Sequence, residues 1–268
     1  MKNIVEVKYG SSSVSCETGL DMSRLTGYAA QLAELHRQYE GLIIVTSGAV
    51  AVGRCLWRQA NPDAKHEPSL RSLAMTGSAP VVTGWQHVLG EHGLIGAQLL
   101  VTHDELDDKK EARELVTALD DNIRDGIVTI ANENDALSVT ELNELEVPEV
   151  KAKADNDRLA AHLAKRARVS RLFLLTDVEG IMMNDHVIPE VEPAQYELVL
   201  NIAGQASGKG RGGMRTKATA AILAAEAGID TYIAQAGSNF DEIVEGKVGT
   251  HFVPLARTAA FVSPRSTR

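Results

Sequence analysis

The sequence holds only two cysteines, Cys16 and Cys55, too few for a disulfide framework or a cysteine zinc site. Both are read as plain thiols of a reducing compartment. Positive charge is also short. Lys and Arg number 27 against 36 Asp and Glu, a net charge of −9, which argues against a nucleic-acid surface but leaves room for a local basic site. No membrane-length apolar run is present. The long uncharged stretch Ser72–Gly90 contains Gly77, Ser78, Pro80, Thr83, Gly84, Gln86 and His87, too polar for a span. The start, from Met1 straight into a charged strand-like segment, shows no signal peptide, and the expected location is the cytoplasm. The eight histidines have no metal-ligand spacing, and neither G-x-S-x-G nor H-E-x-x-H occurs, so zinc and serine-hydrolase chemistry are disfavoured and no protein metal site is expected.

The composition is otherwise that of an ordinary globular chain, 44% hydrophobic and 24% charged over 268 residues, long enough to bury a sizeable core. Short Val/Ile/Leu runs at Asn3–Lys8, Leu42–Thr46, Gln98–Thr102, Ile127–Ala131, Leu172–Thr176 and Thr231–Ala234 predict buried strands. Helical spacing predicts helices over Asp21–Tyr39, Leu106–Arg124, Asn156–Arg168 and Thr216–Ala227. Strand and helix alternate, which predicts an open, mostly parallel sheet covered on both faces. The tail from 256 to 268 is expected to fray.

Ligands of such sheets bind beyond the carboxyl ends of the strands. Polar or glycine-rich strings follow four of the predicted strands: Lys8-Tyr-Gly-Ser-Ser-Ser13, Thr46-Ser-Gly-Ala49, Asn132-Glu-Asn-Asp135 and Thr176-Asp-Val-Glu-Gly180. The string Gly208-Lys-Gly-Arg-Gly-Gly-Met-Arg-Thr-Lys217 puts glycines and cations at a helix start, where bare N–H groups and the dipole favour phosphate. Its spacing is not that of the P-loop, and a plain surface loop has the same composition. Lys8 at a strand end suits a transferring phosphoryl group, or simply ends the strand. Ser47 and Gly48 suit an anion-binding turn or an N-cap. Asn132 and Asp135 suit a polar substrate or a turn. Asp155 suits an N-cap, and Asp157 an inward carboxylate between two lysines.

Taken in order, these strings resemble the amino acid kinase family: Val7-Lys-Tyr-Gly-Ser-Ser12, Ile44-Val-Thr-Ser-Gly-Ala49, Asn132-Glu-Asn-Asp135, Asp155-Asn-Asp-Arg-Leu159, Leu174-Leu-Thr-Asp177, Gly212-Gly-Met-Arg-Thr-Lys217 and Val248-Gly-Thr250. Within it they look most like the branch that phosphorylates the side-chain carboxylate of glutamate for proline synthesis, in the form without a carboxy-terminal RNA-binding-like domain. The resemblance implies the carbamate-kinase-like α/β fold as one domain over 1–268, with an acceptor lobe to about 165 and a nucleotide lobe from about 166 to 255. It implies that Lys8 and Lys217 stabilise the transferred group while Asp157 orients both. It implies that Ser47, Gly48, Asn132, Asp135 and Asn156 hold the acceptor. Gly10, Ser11, Thr176, Asp177, Gly210, Gly212, Gly213, Met214 and Lys217 would bind ATP, with Mg2+ bridging its phosphates. It further implies a small-molecule substrate, no nucleic acid, no membrane, and a homodimer or homotetramer. A different carboxylate or phosphate acceptor, or a nucleotide sensor without turnover, are the alternatives. The sequence departs from the family in Ala154 for glycine, in Ser78 for glutamine, and in lacking the Asp-Pro-Arg segment after Thr176-Asp177.

Overall fold

A computed structural model describes residues 3–137, 156–205 and 211–255. The six predicted strands form with small shifts, as β1 (Ile4–Tyr9), β4 (Gly41–Thr46), β5 (Ile95–Val101), β6 (Ile127–Glu133), β7 (Arg171–Thr176) and β11 (Asp230–Gln235). Short strands complete the set: the hairpin β2 (Ser15–Cys16) with β3 (Gly19–Leu20), the hairpin β8 (Met182–Met183) with β9 (His186–Val187), β10 (Glu190–Val191) and β12 (Thr250–Phe252). Eight strands share one sheet in the order β10-β12-β11-β7-β1-β4-β6-β5. Every neighbouring pair in it is parallel except β11 with β12.

The helices are α1 (Ser11–Val14), α2 (Met22–Gln38), α3 (Ala49–Ala60), α4 (Leu70–Gly90), α5 (His103–Asp107), α6 (Lys109–Arg124), α7 (Asn156–Ala167), α8 (Tyr196–Gln205), α9 (Arg211–Glu226) and α10 (Phe240–Val244). They cover both faces, so alternate residues of one strand enter different cores. Ile4 of β1 packs with Ile43, Leu172, Leu159 and Ala221 on the α7/α9 side. Val5, Val7 and Tyr9 pack with Ile44, Leu32 and Trp85 on the α2/α4 side. By the same period of two, Glu6 and Lys8 share the face of Ile4.

Two helix expectations change, and one stretch without an assignment proves helical. The run Leu106–Arg124 is two helices, because Thr102 and Asp108 both cap: Thr102 accepts from Glu105 N, and Asp108 accepts from Lys110 N and Glu111 N. The helix predicted from Thr216 already runs through Arg211, Gly212 and Gly213, so these glycines are helical rather than a preceding loop. Packing of its alanine face outweighs the low helix propensity of glycine there. The stretch Ser72–Gly90 is a core helix of the α2/α4 side, although Pro80 lies inside it. α3 and α4 meet closely at Gly53 and Gly77. A Cβ on Gly77 would fall 1.9 Å from the Ala49 carbonyl oxygen.

The chain first builds β4, β6 and β5 on one side of β1 and then returns to place β7 and β11 on the other. Strand order therefore reverses between β1 and β7, where an open α/β sheet leaves a crevice.

Candidate active site

The crevice is a cavity of about 710 Å³ lined by residues that follow β1, β4 and β7 together with α7, α8 and α9. Lys8 enters it as the next-to-last residue of β1, and Gly10, Ser11 and Ser12 continue its wall. Ser47 follows β4, and its N–H donates to the Tyr9 carbonyl at 3.2 Å, which fixes the two strand ends relative to each other. Gly48 caps α3 at φ 102°, and a Cβ there would also meet Val14 at 2.7 Å, so this turn requires glycine.

Asp157 is the hub. Its Oδ1 lies 2.5 Å from Lys8 Nζ, and its Oδ2 accepts from Lys217 Nζ at 3.0 Å. Asp157, Lys8 and Lys217 are 1%, 3% and 9% exposed, so this is a nearly dry cluster of two positive charges and one negative. Burial pushes the Asp157 carboxyl upward, but the charges and hydrogen bonds of Lys8 and Lys217 outweigh that and hold it below its ordinary value. The approach of α7 to α9 makes this possible. Ala160, Ala161 and Ala164 pack in one core with Ala218, Ala221 and Ala225, and small side chains let the two helix axes come close. Thr216 adds a hydroxyl 3.5 Å from Asp157 Oδ2.

A second polar group adjoins it. Asn156 Nδ2 donates to Ser47 Oγ at 2.9 Å and to Asn132 Oδ1 at 3.2 Å. Asn132 Oδ1 also accepts from Glu133 N at 2.9 Å. Asn132 belongs to β6 itself, which runs two residues beyond the predicted strand. Among the described residues Asn156 Oδ1 is buried without a hydrogen-bond partner. The aromatic group Tyr9, Tyr28 and Trp85 braces this end from the other side of the sheet, with Trp85 Nε1 donating to Thr46 Oγ1 at 3.0 Å.

Most candidates from the sequence converge. Lys8, Gly10, Ser11, Ser47, Asp157, Thr176, Asp177, Gly213, Met214 and Lys217 line one cavity. Asn132 and Asn156 join it through hydrogen bonds, and Gly48 sets the turn after Ser47. Asp135 lies in the turn after β6, three residues beyond Asn132, and is not among the residues lining this cavity. Ser78 on α4 also lies outside the lining. Lys217 sits beyond the first turn of α9, not in it. Gly210, Gly208, Ala154, Asp155 and the tail 256–268 fall outside the described residues. Gly180, in the string after β7, also lines the cavity; missed walls are Ile181, Met182, Ile202 and Ala203. They are ordinary apolar or small residues whose place in the site comes only from the packing of α8 and the β8–β9 hairpin.

Residues 3–235 match the amino acid kinase family. The chain belongs to the amino acid kinase family. Among its relatives, a glutamate 5-kinase of Photobacterium profundum is 36% identical over 270 residues, covering 95% of this chain and 68% of that protein. A glutamate 5-kinase of Acinetobacter baumannii (strain SDF) is 35% identical over 248 residues, 89% of this chain and 62% of that protein. The chain thus spans somewhat less than two thirds of the length of several curated relatives. A solved carbamate kinase from Giardia lamblia bound to AMP-PNP shares the amino acid kinase fold, with a TM-score of 0.67 at 15% identity over 94% of this chain and 98% of that one. Among the described residues no helix is long and apolar enough to cross a membrane.

Proposed function

We propose that this amino acid kinase transfers the γ-phosphoryl group of ATP to the side-chain carboxylate of L-glutamate, giving γ-glutamyl phosphate and ADP in proline synthesis. The observation that carries the proposal is the buried Lys8–Asp157–Lys217 cluster at the strand-order reversal, in a chain 36% identical to a glutamate 5-kinase over 95% of its length. A carboxylate is already a nucleophile at neutral pH, so the reaction needs no protein base. It needs the acceptor oxygen and the γ-phosphorus in line, and positive charge where the transferred oxygens gather charge. Lys8 and Lys217 supply that charge, and Asp157 holds both ammonium groups in place before substrate arrives. Their low exposure keeps water from screening them.

The acceptor is assigned to the Ser47, Asn132 and Asn156 side, with Gly48 shaping the turn. The unpartnered Asn156 Oδ1 suits an ammonium N–H, as an amino acid would bring. ATP is assigned to the side of Gly10, Ser11, Thr176, Asp177, Gly213 and Met214. The acceptor lobe then ends near residue 165 and the nucleotide lobe follows. Mg2+ fits as an ion carried by the phosphates. Among the described residues no cluster of three acids, histidines or cysteines would hold a metal, and both lysines occupy Asp157, which leaves Asp177 as the carboxylate at hand. When bound, Mg2+ would neutralise charge between the β- and γ-phosphates.

The test is ADP release with ATP and Mg2+ against glutamate, aspartate, N-acetylglutamate, carbamate and UMP. Turnover is expected with glutamate alone, with hydroxylamine trapping the acyl phosphate as a hydroxamate. Turnover on another member of the panel would move the acceptor. None at all would leave a nucleotide-binding protein.

A further inference from the structure

A second cavity, of about 1000 Å³, lies between α6 and α7, lined by Lys109, Ala112, Arg113, Val116, Arg166 and Arg168 together with Thr117, Asp120 and Ala167. It shares no lining residue with the active site. Four cations on one groove are unusual in a chain with a net charge of −9. Elsewhere Arg24, Arg37, Arg54, Arg58 and Arg124 each pair with a carboxylate. Among the described residues the side chains of Lys109, Arg113, Arg166 and Arg168 make no ion pair or hydrogen bond. Arg168 adds an independent sign. It ends α7 in the left-handed region at φ 54°, and Val169 N closes the turn on Ala164 O at 3.0 Å. That position favours glycine or asparagine, so an arginine there carries a backbone cost.

We propose that this groove is a second anion site, for a small phosphorylated ligand. Unpaired guanidinium groups bind phosphate oxygens in forked, charge-assisted pairs, and the floor of Ala112, Val116 and Ala167 gives a small organic body an apolar seat. The single groove between two helices, on an otherwise acidic molecule, suits a compact polyanion better than a nucleic-acid backbone. The site also has a route to the chemistry. α7 carries Asp157 in its first turn and Arg166 in its last, so the groove and the catalytic cluster sit at opposite ends of one helix.

The test is calorimetric titration of inorganic tripolyphosphate into the whole chain at low ionic strength. The Arg113→Ala/Arg166→Ala double variant is expected to lose the groove's binding by at least about tenfold, whereas Lys217→Ala, in the other cavity, is expected to retain it. Arg168→Gly is expected to weaken binding about threefold or more while raising the melting temperature, which separates loss of a ligand group from loss of fold. Unchanged affinity in the double variant would overturn the proposal. So would tighter binding of a 20-base-pair DNA duplex than of tripolyphosphate at the same residues, which would make the groove a nucleic-acid surface.

Discussion

Among single residues, two buried acids on the same side of the sheet behave oppositely. Asp157 is paired twice, and its carboxyl is held below the ordinary 3.8. A depressed carboxylate contributes stability that is complete above pH 3.8 and is lost as pH falls through its lower folded value. Asp157→Asn leaves the ammonium of Lys8 buried and uncompensated, which is expected to cost about 3 kcal/mol and to remove that acid dependence from melting curves taken across pH. Lys217→Ala keeps the pair of Lys8 with Asp157, so its main expected effect is on chemistry, a fall in kcat of at least about a hundredfold. Near-normal kcat would take Lys217 off the phosphoryl group. Glu6 is the contrast. Among the described residues neither of its buried oxygens has a hydrogen-bond partner, and burial raises its carboxyl well above 4.5. Native Glu6 therefore prefers to be neutral. Its stability contribution is complete below pH 4.5 and is lost as pH rises through the raised folded value. Glu6→Leu is expected to raise the melting temperature at pH 8, by more than at pH 5, and a lower value at pH 8 would refute this account of Glu6.

Between elements, the contact distance of paired helices sets the site. α3 and α4 touch so closely that a methyl group on Gly77 meets the carbonyl of Ala49 at 1.9 Å, a backbone atom that cannot turn aside. Ala49 is the first residue of α3, directly after Ser47 and Gly48. Gly77→Ala is therefore expected to displace the start of α3, lower the melting temperature, and raise KM for the acceptor more than KM for ATP. Equal effects on both would show that the helix start does not shape the acceptor side. α7 and α9 obey the same rule through alanine. Ala164→Leu is expected to cost about 1–3 kcal/mol by overpacking, and to lower kcat by parting Lys217 from Asp157.

Across the molecule, the two proposed lobes are not separate bodies. β1 pairs with β4 on one side and with β7 on the other, so one continuous ladder runs through both. Heating is expected to give a single transition by calorimetry and by circular dichroism, and two resolved transitions would contradict that coupling. Ligand binding follows the same logic, because the cavity takes residues from both sides of the β1–β7 join. Nucleotide at a hundred times its Kd is expected to stabilise the entire chain by about 2.7 kcal/mol. Thermal shift with ATP, against an equal concentration of adenosine, measures how much of that comes through the phosphates.

The parts legible in the sequence are those whose physics is local. Buried parallel strands announce themselves as short Val/Ile/Leu runs, and all six could be read. Lys8, Asp157 and Lys217 could be singled out, but each string alone also suited a strand end, a cap or a loop, and it was the order of the strings that joined them. Helix boundaries were less legible. Asp108 splits one apparent helix by capping the second half, and packing carries α9 back over Gly212 and Gly213 against their propensity. α3 and α4 went unassigned although α4 carries Leu73, Val81, Trp85 and Val88 at helical spacing, because Pro80 and the glycines Gly77 and Gly84 interrupt that pattern. What meets what came from the folded chain alone. Folding brought Asn132 and Ser47 to Asn156, built walls from Ile202 and Met182, and set four cations around a groove. Those outcomes depend on the order of strands and the distance between helices, which are sums over the whole chain and are written in no single stretch of it.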